Sequence, residues 1–190
     1  MEKQPNRFDV ISTPLEGLKI LRRKPLGDLR GYFERVFCSN DLGDFLNGKA
    51  IVQINHTLTA RRGILRGMHY QRPPFAEIKL ISCVRGRVFD VAVDVRKNSP
   101  TFLHSFSQEL TPDNHKSMLI PEGFAHGFQS LEDDCELLYL HTAPFEASAE
   151  AALNPLDSLL NISWPIAVTD MSDRDRNHAV IRQDFRGVEV

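Results

Sequence analysis

VFDVAVDV, residues 88–95, alternates apolar residues with polar or small ones, the period of two shown by a β-strand with one wet face. RGR at 85–87 and KNSP at 97–100 bound it with turn residues. Working outward, similar short runs occupy 18–22, 50–58, 79–84, 102–110, 117–120, 124–130 and 135–141, with turn residues between them. Only 40–48 and a patch after Pro144 read as helical. The predicted fold is therefore all-β, a sandwich or barrel of antiparallel strands that includes the double-sheet jelly roll. The stretch from Trp164 onward is polar and irregular. It is expected either to fray or to return and cover part of the body.

The 190 residues are 42% hydrophobic, enough to bury a sizeable core, and the expectation is a single domain over 1–190. A formal net charge of −2 gives no overall basic surface, so no nucleic-acid partner is expected. No run approaches the roughly 18 apolar residues of a membrane helix, and MEKQPNRFDV lacks a signal peptide's apolar centre. A cytoplasmic protein without a membrane partner is the corresponding expectation. Cys38, Cys83 and Cys135 have no CxxC spacing and read as buried thiols in strands.

Several polar residues interrupt apolar runs. GILRGMHYQ at 63–71 carries Arg66 and His69, KLISCV opens with Lys79, PEGFAHGF contains His126 and CELLYLH contains Tyr139. A lysine at the head of an apolar strand either snorkels to water, the commoner outcome, or is paired and working. A strand histidine or tyrosine taken alone is usually core with its polar atom satisfied. Arg66 and His69, three apart, would point to opposite faces of a regular strand. A bulge or twist at Gly67 would bring both to one side.

The combination is more specific. PEGFAHGF, with Pro121, Gly123 and His126, resembles the second signature of the cupin jelly roll, and GMHYQ stands where the first would be. Metal-binding cupins have HxH there; His69-Tyr70-Gln71 lacks the second histidine. Two histidines and Glu77 make a thin ligand set, so no metal and no other cofactor is expected. More closely, RGILRGMHYQ, KLISCVRGRVFDVAVDVRKNSPTF, IPEGFAHGFQSL, ISWP and SDRD, in that order, resemble the dTDP-4-dehydrorhamnose 3,5-epimerase family over residues 26–175.

That resemblance implies a cupin jelly roll and a homodimer in which a strand near the N-terminus crosses to the partner. It also implies epimerisation of a nucleotide-diphospho-4-keto-6-deoxy sugar at C3, C5 or both, for deoxysugar biosynthesis. The 4-ketone acidifies the neighbouring C–H bonds, so the reaction calls for a base, an acid on the opposite face and a cation near the carbonyl oxygen. The resemblance implies His69 as base, Asp175 as its orienting partner, Lys79 as the enolate's cation and Tyr139 as the opposing acid. It implies substrate contacts from Arg66, Gln53, Asn55, His126, Arg30, Phe33, Arg35 and Phe145. Three places depart from the family pattern. Arg35 replaces a glutamate, TAPF at 142–145 keeps only Phe145 of an aromatic pair, and NPLDS at 154–158 keeps only Asp157. The first two leave the nucleotide base open. A 3,4-ketoisomerase of the same fold, which would not need Tyr139 opposite His69, and a non-catalytic sugar-nucleotide binder are the competing expectations.

Overall fold

The computed structural model describes residues 6–190. Its strands are β1 (Phe8–Ser12), β2 (Lys19–Arg23), β3 (Leu26–Asp28), β4 (Gly31–Phe33), β5 (Gln53–Thr59), β6 (Ile64–Gln71) and β7 (Lys79–Arg85). They continue as β8 (Val88–Asp94), β9 (Ser105–Leu110), β10 (Lys116–Ile120), β11 (Phe124–Ser130), β12 (Cys135–His141), β13 (Glu150–Ala152) and β14 (Asp170–Met171). Among the described residues helix is confined to α1 (Ser39–Leu42), the short 3-10 turns at Gly43–Leu46 and Ser158–Leu160, and α2 (Asp173–Arg176).

Two sheets build the body, one ordered β1-β2-β10-β7-β12-β5 and the other β13-β6-β11-β8-β9. The fold is an all-β double-sheet jelly roll, as the strand pattern predicts. Leu18, Ile81, Leu137 and Met118 of the first sheet and its approaches meet Val88, Ala92 and Phe128 of the second in one buried cluster. Burial of such apolar area is the main stabilising term.

The outer face of the second sheet corrects the reading of VFDVAVDV. No residue of β8 is exposed, because Val91, Val93 and Val95 pack outward under Tyr70, Leu153, Leu160 and Val188. The C-terminal stretch from Trp164 therefore covers the sheet. Trp164 and Phe185 pack on that cluster, and buried Asp157 accepts the main-chain N–H groups of Leu159 and Ile181. The polar positions of β8 have internal partners: Asp90 meets His126, and Asp94 meets Arg96, Ser99 and Thr101.

Other differences are local. The patch after Pro144 is not a helix. Ala149 and Glu150 donate to the Glu146 carbonyl, and the chain then leaves as β13 to pair with β6. The gain from the ladder ends the helical turn after one cycle. The run at 102–110 becomes strand only at Ser105, since Phe102 to His104 turn through Leu103 at φ +62°. Cys83 and Cys135 are buried in strands, whereas Cys38 is half-buried and precedes α1.

Candidate active site

The extra residue in β6 creates the site. β11 pairs His126 with His69 and Phe128 with Arg66, so two steps on β11 span three on β6. That is a bulge, and Arg66 and His69 emerge on the same side. Glycine is required at its centre: Gly67 has φ +123°, and a Cβ there would lie 2.5 Å from the Gly127 Cα.

The free edge of β6 is shared by β13, opposite Tyr70, and β14, running parallel opposite Ile64 and Leu65. α2 follows β14, capped by Ser172, whose hydroxyl accepts the Asp175 N–H at 3.0 Å. This delivers the Asp175 carboxylate, only 3% exposed, to the bulge. Its Oδ1 lies 2.6 Å from His69 Nε2, and its Oδ2 accepts the Gly67 N–H at 3.3 Å. Burial pushes the Asp175 carboxyl up, but the hydrogen bond and charge of His69 and the Gly67 and Ser172 contacts outweigh it, holding the group below its ordinary range. An ionised Asp175 accepts, so His69 Nε2 carries the hydrogen and Nδ1 is the basic nitrogen. Arg174 Nη2 lies 3.2 Å from the same Nε2 but has no lone pair to meet there; it pairs with Glu150 at 2.9 Å and more distantly with Asp175 Oδ1 at 3.8 Å.

β5, β7 and β12 of the first sheet form the facing wall of a cavity of about 630 Å³. Lys79, 7% exposed, donates to the His69 carbonyl at 3.2 Å and pairs with Glu77 at 3.3 Å. It is paired rather than snorkelling. Tyr139 stands between two rings, edge-on to His126 at 5.9 Å and stacked on His141 at 6.1 Å. Burial, with the nearby Asp90 carboxylate, pushes its phenol well above the ordinary range, so it carries its proton at neutral pH. His126 is fixed by Asp90 at 2.7 Å.

Of the residues singled out in the sequence, His69, Asp175, Lys79, Tyr139, Arg66, Asn55, His126 and Phe145 line this one cavity. Arg66 is held at its edge by Thr59 Oγ1 and the Leu58 carbonyl. Gln53 does not line it; its amide lies between Asn55 and the Phe145 N–H. Arg30 and Phe33 lie on the β3–β4 hairpin, every strand residue of which is exposed, and Arg35 pairs with Asp41 at 3.1 Å. These three do not reach the cavity of their own chain. The sequence reading passed over Thr57, Asp90, His141, Glu150 and Arg174, and weighed Glu77 only as a metal ligand; all but Asp90 line the cavity. The alternation around Tyr139 carried a signal for His141, two residues on and on the same face.

Among the described residues, one group has the spacing of metal ligands: His69, Asp175 and His178, with ligand atoms within 4.8 Å of one another. The His69–Asp175 hydrogen bond is too short to admit an ion between its atoms, and the Arg174 guanidinium stands beside it. This geometry suits proton transfer better than chelation.

Fold and cavity together define a cupin jelly roll whose site pairs a carboxylate-oriented histidine with a protonated phenol on the facing sheet and a lysine beside them. The sequence profile of dTDP-4-dehydrorhamnose 3,5-epimerase matches residues 12–183. The chain is 40% identical to the dTDP-4-dehydrorhamnose 3,5-epimerase of Shigella flexneri over 171 residues, 90% of this chain and 94% of that one. It superposes on the Legionella pneumophila dTDP-6-deoxy-D-glucose-3,5-epimerase in complex with dTDP-4-keto-L-rhamnose with a TM-score of 0.86. Identity there is 35%, over 91% of this chain and 92% of that chain. The Bacillus anthracis dTDP-4-dehydrorhamnose 3,5-epimerase with TDP and PPi bound gives 0.88 at 34% identity, over 92% and 99%. The chain belongs to the dTDP-4-dehydrorhamnose 3,5-epimerase family.

Proposed function

We propose that this protein is a nucleotide-sugar isomerase that epimerises a dTDP-linked 4-keto-6-deoxy sugar at C3 and C5 in deoxysugar biosynthesis. The observation that carries the reading is the arrangement of the two cavity walls: His69 on β6, bonded to Asp175 from α2, and Tyr139 on β12 of the opposite sheet. His69 Nδ1 removes the hydrogen from the carbon next to the ketone. The electron pair moves onto the carbonyl oxygen, where the Lys79 ammonium meets the developing charge. Tyr139 returns a proton from the other face, inverting the centre, and regains its own from solvent, while the imidazolium formed at His69 is stabilised by Asp175 until it releases the abstracted proton to solvent. A 3,4-ketoisomerase works on one face and gives Tyr139 no such task. For that reason the epimerase reading is preferred.

In this reading Arg66 and Asn55, both in the cavity lining, meet the diphosphate and sugar. Arg30, Phe33 and Arg35 have a different task in this reading. The β3–β4 hairpin exposes Leu26, Leu29, Tyr32 and Phe33, an apolar arm that needs a cover. It crosses to a second copy of the chain, adding these residues to the partner's cavity. No described helix is long and apolar enough to cross a membrane.

The deciding experiment incubates the protein with dTDP-4-keto-6-deoxyglucose in D₂O and follows C3 and C5 by NMR. Inverted, deuterated centres are expected. Exchange without inversion, or a 3-keto product, would overturn the reading. Light scattering of the wild type and of a Leu29→Asp, Phe33→Asp variant tests the arm: a dimer that the variant loses is expected.

A further inference from the structure

Glu77, two residues before β7, and His141, at the end of β12, face each other across a paired register in which His141 lies opposite Lys79. Their side chains are 8% and 10% exposed, and His141 Nδ1 is 2.7 Å from Glu77 Oε2. The other oxygen, Oε1, takes Lys79 Nζ at 3.3 Å. Burial pushes the Glu77 carboxyl up, but the bonds from His141 and Lys79 outweigh it and keep it below its ordinary range. Glu77 is therefore a pure acceptor, which makes His141 Nδ1 the donor and leaves Nε2 with a lone pair.

The rest of the hydrogen bonding follows without freedom. Asn55 Nδ2 donates to His141 Nε2 at 3.3 Å, Gln53 Nε2 donates to Asn55 Oδ1 at 3.3 Å, and the Phe145 N–H donates to Gln53 Oε1 at 2.9 Å. The chain begins at a main-chain N–H and ends at an ammonium, both able only to donate, with an acceptor-only carboxylate next to the ammonium. Each amide and the imidazole tautomer thus have one orientation that satisfies every bond.

We propose that Glu77 and His141 are positioning residues for Lys79: Glu77 keeps the buried ammonium charged and aimed, and His141 shares the Glu77 carboxylate so that it does not quench that charge. This rests on the reading of Lys79 as the cation that meets the enolate. An ammonium buried without a counter-ion loses its proton more readily, and one bound by an undivided carboxylate offers less of its charge to a substrate oxygen. The groups facing Lys79 are Glu77 on its own segment, His141 and Tyr139 from β12, and the main chain of His69 from β6. Gln53 and Asn55 contribute their inward bonds to the same chain, whatever else they touch.

The test compares wild type with Glu77→Gln, His141→Phe and His141→Gln, reading kcat and KM against pH and the ¹³Cε resonance of Lys79 in selectively labelled protein. Glu77→Gln should lower kcat about tenfold or more with KM within about threefold, and move the alkaline limb of kcat to lower pH by about 1. The Lys79 resonance should titrate at correspondingly lower pH. His141→Phe keeps the ring against Tyr139 but loses the N–H, and should lower kcat; His141→Gln restores a donor and should recover part of it. An unchanged Lys79 titration and alkaline limb in Glu77→Gln, in protein that melts cooperatively, would overturn the proposal. If Glu77→Gln fails to fold, equal kcat in wild type and His141→Phe would overturn it. Wild-type protein without turnover would sink the epimerase reading alone, since the resonance still decides whether Glu77 governs Lys79.

Discussion

Asp175→Asn removes one charge and one proton acceptor from the base while leaving shape almost unchanged. In the wild type, Oδ1 is 2.6 Å from His69 Nε2, so an imidazolium formed in the reaction has its charge centre about 4 Å from the carboxylate's. At an effective dielectric of about 20 that attraction is worth about 4 kcal/mol. The imidazole is 27% exposed, and water on that side screens the pair, which brings the expected loss to about 2–4 kcal/mol, or about 30- to 1000-fold in kcat. The asparagine keeps both bonds only by accepting the Gly67 N–H and donating its NH₂ to His69 Nε2, which moves the imidazole hydrogen to Nδ1 and removes the basic lone pair; in the other amide orientation the Gly67 N–H loses its acceptor, at a stability cost on the order of 1 kcal/mol. The assay is the rate of deuterium entry at C3 and C5, with a thermal melt of the same sample. A variant that melts within a few degrees of wild type and exchanges within about threefold of its rate would refute the assignment of Asp175 as the partner of the base.

Tyr139→Phe should still exchange substrate hydrogen, because His69 can remove and return a proton on one face, but should form inverted product about 10²-fold more slowly or worse; NMR reads both rates at once. Gly67→Ala should cost about 3 kcal/mol or more in urea unfolding, because a Cβ would lie 2.5 Å from the Gly127 Cα at φ +123°; a loss under about 1 kcal/mol would mean that the bulge relaxes. Although burial pushes each of them up, Asp94, Asp175 and Glu77 are held by their hydrogen bonds and charged partners below the ordinary carboxyl values of 3.8, 3.8 and 4.5. Their contribution to stability is full above those values and lost as pH falls through the lower folded-state ones. The melting temperature should therefore decline on acidification below about pH 4, and a midpoint unchanged down to pH 2.5 would contradict the pairing.

Much of the fold was legible because the interior strands are short runs rich in aliphatic and aromatic residues that end in turn residues. Lys79–Arg85, Phe124–Ser130 and Cys135–His141 lie within a residue of their predicted bounds. Strands with few residues or little burial gave no such pattern: β3, β4, β13 and β14 have two or three residues each, and β14 exists only because β6 offers a free edge. The one-sided burial read from residues 88–95 failed because partners distant in sequence neutralise Asp90 and Asp94 and the C-terminal stretch covers the outer valines. At the site, the bulge at Gly67 was readable from the odd spacing of Arg66 and His69. Glu77 and His141 were not, since each is unremarkable alone and acquires meaning only when the β7–β12 register sets it opposite the other. Arg30 and Phe33 lie on an exposed hairpin and Arg35 follows it, so none of the three reaches its own chain's cavity.

The placement of Asp175 has a consequence for the order in which the molecule is made. Asp175 stands 106 residues after His69, beyond every strand of both sheets, and arrives by way of a two-residue parallel strand and a single helical turn. At about 5–20 residues per second, a ribosome leaves an interval of roughly 2–7 s between Tyr139, the last of the wall's reactive side chains to be synthesised, and the carboxylate. During that interval the nascent chain carries the histidine, the lysine and the tyrosine yet lacks the group that fixes the imidazole tautomer. Translation thus keeps the base unoriented until the last short segment has been released.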